Sequence, residues 1–206
     1  MNIVIQTIEV LALISGIIYL ILEIKQSNAM WFIGIATGLA CAFSFGIRQL
    51  YASMGLNIYY VIISVWGLIQ WKKDAKVLQT TRSVNDKVPV SIHLNRINIK
   101  TVIISSVLFI AGSVLAVYIL DLLDDAQSYM DAIVTVMSII GTVWLAKSYL
   151  HQWFIWIVAD ILSSVLCFIS DMYWMSFLYL LYSAAAVYGY IYWKNNGKYI
   201  EVCKSK

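Results

Sequence analysis

Seven apolar stretches alternate with polar breaks along the chain, at residues 3–22, 30–47, 56–71, 101–120, 132–146, 152–169 and 174–193. An α-helix needs ~17–25 apolar residues to cross the hydrocarbon layer. Most of the stretches have that length, and the third and fifth reach it with their flanks. A lone strand would leave its backbone unpaired in lipid, so all seven predict helices. The breaks are short except for residues 72–100, which carry Pro89 and most of the basic side chains.

The basic residues order these helices across a membrane. With the 72–100 loop in the cytoplasm, Lys25, Lys147, Lys194, Lys198, Lys204 and Lys206 fall on the same side, 13 of the 14 Lys and Arg, and Arg48 alone lies opposite. Asp121, Asp124, Asp125 and Asp171 lie in the opposing loops. Basic loops stay inside, so the N-terminus is expected outside and the C-terminus in the cytoplasm. Composition agrees, at 62% hydrophobic and 12% charged, against ~45–50% and ~25% for soluble domains. The net charge of +3 is small and scattered, which argues against nucleic acid. Cys41, Cys167 and Cys203 have neither disulfide-framework nor metal-site spacing. The first apolar run lacks a basic n-region and is long enough to span, so it does not read as a cleavable signal peptide.

A repeat lies inside the chain. At an offset of 122, Trp31, Phe32, Ile33 and Ile35 fall on Trp153, Phe154, Ile155 and Ile157, and Ile47 and Tyr51 on Ile169 and Tyr173. Leu56, Tyr60, Val65, Gly67, Ile69, Trp71 and Lys72 then fall on Leu178, Tyr182, Val187, Gly189, Ile191, Trp193 and Lys194, making 13 identities in 42 positions. The rarer Trp, Tyr and Gly pairs make chance a poor explanation. The expected plan is a first three-helix repeat at 1–73, a basic cytoplasmic loop at 74–100, connector helix four with an acidic outer loop at 101–125, a second repeat at 126–195 and a cytoplasmic tail at 196–206. Three helices plus a connector return the chain to its starting side, so the repeats are parallel. Parallel repeats are a transporter architecture with substrate sites near the midplane.

The stretch 151–160, HQWFIWIVAD, carries the sharpest chemistry. Trp153, Trp156 and Asp160 are spaced 3 and 4 apart and share one helix face, with Asp160 ~12 Å beyond Gln152. A carboxylate at that depth is costly and needs a partner, a cavity or a substrate. Trp153 has a counterpart in Trp31, whereas Trp156 and Asp160 stand opposite Gly34 and Gly38. Those two glycines form G-x-x-x-G, which favours close helix packing. Asn57, Tyr60 and Gln70 on helix three and Tyr179 and Tyr182 on helix seven are further pathway candidates; for the tyrosines an interface belt or interhelical hydrogen bond is the simpler role. Glu9 and Asp131 are repeat mates near outer helix ends and read as polar caps before gates. His93 and His151 lack metal-ligand neighbours and read as solvated surface residues.

These residues resemble the Pnu family of bacterial vitamin transporters. The resemblance rests on Trp153-x-x-Trp156-x-x-x-Asp160, on the Gly67-Leu-Ile-Gln70-Trp71 ending of helix three, and on the helix order, and covers nearly the whole chain. It implies an all-α membrane protein with seven transmembrane helices in a SWEET-like 3+1+3 arrangement. It also implies facilitated diffusion of a vitamin or nucleoside precursor across the inner membrane, trapping by a cytosolic kinase, and a homotrimer with one pathway per protomer. Trp153 and Trp156 would stack on the substrate ring, with Asp160, Asn57, Tyr60, Gln70 and Tyr182 as polar lining. No cofactor is implied. Asp160 departs from the asparagine of the family's nicotinamide riboside transporters. An ionised aspartate accepts hydrogen bonds but does not donate, so it favours a cationic ring, which both nicotinamide riboside and thiamine have. The riboside is the first expectation and thiamine the second. An enzyme is disfavoured because no Ser-His, Cys-His or metal constellation lies at membrane depth, and a seven-helix sensor because no effector domain is present.

Overall fold

The structure is a computed structural model that describes residues 16–47, 51–80, 92–122 and 128–200. Helical residues 16–24 form α1, followed by α2 (Ala29–Ile47), α3 (Tyr51–Thr80), β1 (Ile92–Leu94), α4 (Ile99–Asp121), α5 (Ser128–Ala146), α6 (Gln152–Ile169), α7 (Tyr173–Asn196) and β2 (Gly197–Tyr199). β1 pairs with β2. Among the described residues four helices, α4 to α7, are long and apolar enough to cross a membrane. Most of the first apolar stretch, together with Glu9, Arg48, Pro89, Asp124, Asp125, Cys203 and the side chains of Cys41 and Asp121, lies outside the described residues.

The expected helix six, 152–169, is found with those bounds. Helix three is not, since α3 runs on to Thr80, well beyond Trp71. Its extra turns, Lys-Lys-Asp-Ala-Lys-Val-Leu-Gln-Thr, are mostly good helix formers, so the helix outlasts the apolar stretch and part of the expected loop is helical. Gln70 Nε2 donates to Asp74 Oδ1 at 2.9 Å across this junction.

The chain divides into two compact units, Met1–His93 with Asn196–Lys206, and Leu94–Asn195. In the first, α2 lies hard against α3. A Cβ built on Gly34 would come within 2.8 Å of Ser64 Oγ, and one on Gly38 within 2.7 Å of Val61 Cγ2, so the G-x-x-x-G face is the packing face. Trp31 is fully buried, set edge-on to Trp71 at 5.0 Å between ring centroids, and its ring lies against Gly67. The second unit builds the same joint: Trp153 is buried edge-on to Trp193 at 5.3 Å and lies against Gly189.

Turns show the same correspondence. α1 ends with Gln26 at φ 49° and α5 ends with Ser148 at φ 53°. Ser27 N–H donates to Leu22 and Gln26 N–H to Glu23; 122 residues on, Tyr149 N–H donates to Trp144 and Ser148 N–H to Leu145. Each set is a Schellman closure with a non-glycine residue in the left-handed position, a costly conformation that tertiary bonds must hold. Gln26 supplies such bonds: its amide donates to His93 O at 3.0 Å and accepts from His93 N–H at 2.8 Å. At the second turn, Asn95 N–H donates to Ser148 O and Asn95 Nδ2 to Lys147 O.

The expectation that His93 is solvated is therefore corrected. Ile92 and Leu94 are fully buried on either side, His93 is buried with them, and its ring stands edge-on to Trp71 at 6.0 Å. Burial pushes the imidazole down to a pKa of about 4, so it is neutral at pH 7. His151 is exposed, as expected.

Candidate substrate-binding site

α6 positions the central candidates in the second unit. Its lipid-type face carries Phe154, Val158, Ile161, Val165 and Phe168, all exposed. The opposite side buries Trp153, Ala159, Ser163, Ser164 and Cys167. Ser164 Oγ bonds Ser176 of α7 at 2.9 Å, through both its backbone carbonyl and its hydroxyl, and Ser183 Oγ donates to Ile157 O at 3.3 Å. These contacts hold α7 against α6.

The two tryptophans divide their roles. Trp153 is 1% exposed and engaged with Trp193 and Gly189 on α7, so its faces are taken up by packing. Trp156 is half-buried and lies beside Gly141 of α5, where a Cβ would meet its Cε2 at 3.3 Å. Its indole N–H has no hydrogen-bond partner among the described residues. One turn further, Asp160 is half-buried, and among the described residues its carboxylate makes no hydrogen bond or ion pair. It interacts electrostatically with Tyr182 of α7, whose ring stands edge-on to Tyr179 at 6.1 Å. Trp156, Asp160 and Tyr182 thus place an indole, a carboxylate and a phenol along neighbouring stretches of α6 and α7.

The other candidates lie on α3 in the first unit. Asn57 is half-buried, and its backbone carbonyl lies over Gly38. Tyr60 is half-buried against Tyr59, at 5.4 Å between ring centroids. Gln70 is engaged by Asp74 at the polar end of α3. Sequence reading missed Gln152. It is 0% exposed, and neither polar atom of its amide has a partner among the described residues; its repeat mate Met30, equally buried, was the signal that the position is interior.

Helices of this length and apolar character, α4 to α7, are those of a multi-pass membrane protein. The sequence profile of the family described as nicotinamide mononucleotide transporter matches residues 6–195. The chain belongs to that family, whose members are transporters and not enzymes. It is similar to the nicotinamide riboside transporter PnuC of Escherichia coli (strain K12), 22% identical over 207 residues that cover 93% of this chain and 86% of the relative. It is also similar to the nicotinamide riboside transporter PnuC of Neisseria mucosa, 23% identical over 192 residues, covering 88% and 70%. A crystal structure of the vitamin B3 transporter PnuC has the same fold, with a TM-score of 0.62 at 22% identity over 89% of this chain and 79% of that one. The protein is a multi-pass bacterial membrane transporter of this family.

Proposed function

We propose that the protein takes up an unphosphorylated, cationic vitamin precursor, nicotinamide riboside first, by facilitated diffusion, and that a cytosolic kinase traps it by phosphorylation. The Asp160 carboxylate, with no hydrogen-bond or ion-pair partner among the described residues, carries the reading. A negative charge attracts a pyridinium and repels a phosphate ester, which favours the riboside in the relatives' names over the nucleotide in the family's description. Trp156 stacks on the ring, and Tyr182 and Asp160 take its polar edge, while Trp153 supports α6 by its packing against α7. Asn57, Tyr60 and Gln70 remain the lining candidates of the first unit, on α3. Thiamine is the second reading, favoured by the same residue, because an aminopyrimidine offers donors that a carboxylate accepts.

We also read the chain as two parallel three-helix repeats, 1–73 and 126–195, about a connector at 101–125. The matched Schellman turns and the matched Trp–Trp–Gly joints support this. The N-terminus lies outside and the C-terminus in the cytoplasm, following the basic residues, and protomers assemble as homotrimers. Proteoliposome uptake of labelled nicotinamide riboside, its 5′-phosphate and thiamine tests the function. Flux of the riboside without ATP or an imposed ion gradient, and none of the phosphate, is expected. Binding without flux would identify a sensor instead. At ~5 Å and an effective dielectric near 20, one charge pair is worth ~3 kcal/mol. Asp160→Asn should therefore weaken a cationic substrate by about two orders of magnitude, and thiamine more than the riboside; equal losses would remove charge from the argument.

A further inference from the structure

A cavity opens on the side of α6 that faces α4 and α5. It encloses about 460 Å³ between α4, α5 and α6, lined by Val102, Ser105, Phe109, Met137, Trp144 and Ile155 among others. Its wall is almost wholly apolar, and the Trp144 indole N–H that would have made it polar is already donated to Ser105 Oγ at 3.0 Å. The lining begins at Val102 and ends at Ile110 on α4, a rise of ~12 Å. That is close to the depth of one leaflet of a ~30 Å hydrocarbon core.

The sequence flanking the lining is basic. Exposed Lys100 lies two residues before Val102, exposed Arg96 just ahead of it, and Lys147 follows Trp144 at the end of α5. No acidic residue occurs between Arg96 and Asp121 or between Asp131 and Asp160. The groove starts close in sequence to these basic residues and runs along α4, whose outward residues Ile103 and Val107 are 56% and 60% exposed. Basic clusters at a membrane surface attract anionic headgroups. We propose that the groove binds one anionic phospholipid, with its phosphate at Arg96, Lys100 and Lys147 and an acyl chain between α4 and α5.

The test uses the full-length protein reconstituted in vesicles of phosphatidylcholine and phosphatidylglycerol at 3:1, extracted into mild detergent and weighed by native mass spectrometry. Retained phosphatidylglycerol should exceed its share of the vesicle at least 5-fold. Ser106→Trp, at an exposed position lining the groove, should fill the groove and reduce retention at least 5-fold with thermal stability unchanged. Arg96→Gln with Lys100→Gln leaves the groove open and should abolish the preference for phosphatidylglycerol over phosphatidylcholine. Retention in proportion to vesicle composition, or retention unaffected by either variant, overturns the proposal. So does a Ser106→Trp protein that changes its oligomeric mass while keeping its lipid, which would make the groove a contact between copies of the chain.

Discussion

Gly189→Ala and its mate Gly67→Ala test the joint that each unit builds from one glycine and two tryptophans. A Cβ at Gly189 would stand 2.5 Å from Trp153 Cη2, and one at Gly67 2.6 Å from Trp31 Cη2. Carbon atoms in contact prefer ~3.5–4.0 Å, so either the ring or the helix must give way by about 1 Å. The rings have nowhere to go. Trp153 and Trp31 are 1% and 0% exposed and are backed by Trp193 and Trp71. Overpacking of this kind costs ~1–3 kcal/mol, offset by the ~1 kcal/mol that alanine gains over glycine inside a helix. A net loss of up to about 2 kcal/mol corresponds to as much as ~8 °C in Tm for a chain of this size. Gly55→Ala is the control, because a Cβ there meets nothing within 4 Å and only helix preference acts. Thermal unfolding in mild detergent reads all three variants. Gly189→Ala combined with Trp153→Phe should lose less than the sum of the two single changes, since the smaller ring frees the space the methyl needs. If Gly189→Ala melts with the parent while Gly55→Ala melts lower, the contact is not what sets this glycine.

The buried His93 predicts acid sensitivity. Its pKa is about 4 in the fold against 6.5 as a model value, so between those values the unfolded chain holds more protons and stability falls as pH drops through 6.5. Moving from pH 7.5 to 5.5 should cost about 1 kcal/mol, and a pH series of Tm on His93→Phe should lose that component; an unchanged slope would place its origin elsewhere. Gln152→Met borrows the repeat mate's side chain and removes two unpartnered polar atoms, each worth ~1–3 kcal/mol when buried. A higher Tm is expected, and a lower one accompanied by weaker substrate binding would show that the amide serves the ligand. Trp156→Ala should reduce riboside affinity by roughly 10-fold through lost cation–π attraction with little change in Tm, whereas Trp153→Ala should lower Tm first.

What the sequence made legible depended on whether a residue's role was local. α6 was found within its expected bounds because apolar stretch and helix end together there, at Gln152 and Ile169. They part at Trp71, where hydropathy marks the membrane boundary and helix propensity continues to Thr80. His93 was misjudged for the opposite reason. Its neighbours Asn95 and Arg96 are polar, and the burial comes from Trp71 and Gln26, which are distant in sequence. Trp153 and Trp156 share a face by spacing, yet three residues turn a helix by 300°, about 60° short of a full circle. That difference sends one ring to α7 and the other to α5.

The repeat separates these roles better than the spacing does. Positions identical in both halves, Trp31 with Trp153, Gly67 with Gly189 and Trp71 with Trp193, form the same packed joint twice. Positions that differ mark where the halves diverge. Gly34 and Gly38 let α2 close onto Ser64 and Val61 of α3, an approach that a side chain larger than hydrogen would block. Their mates are Trp156 and Asp160, so α6 and α7 cannot meet at that level in the same way, and α7 instead reaches α6 through Ser183 and the Ile157 carbonyl. One half closes with two glycines where the other carries an indole and a carboxylate. A single asymmetric ligand requires that kind of imbalance, and it is why Trp156 and Asp160, more than the buried Trp153, are the residues on which substrate choice should turn.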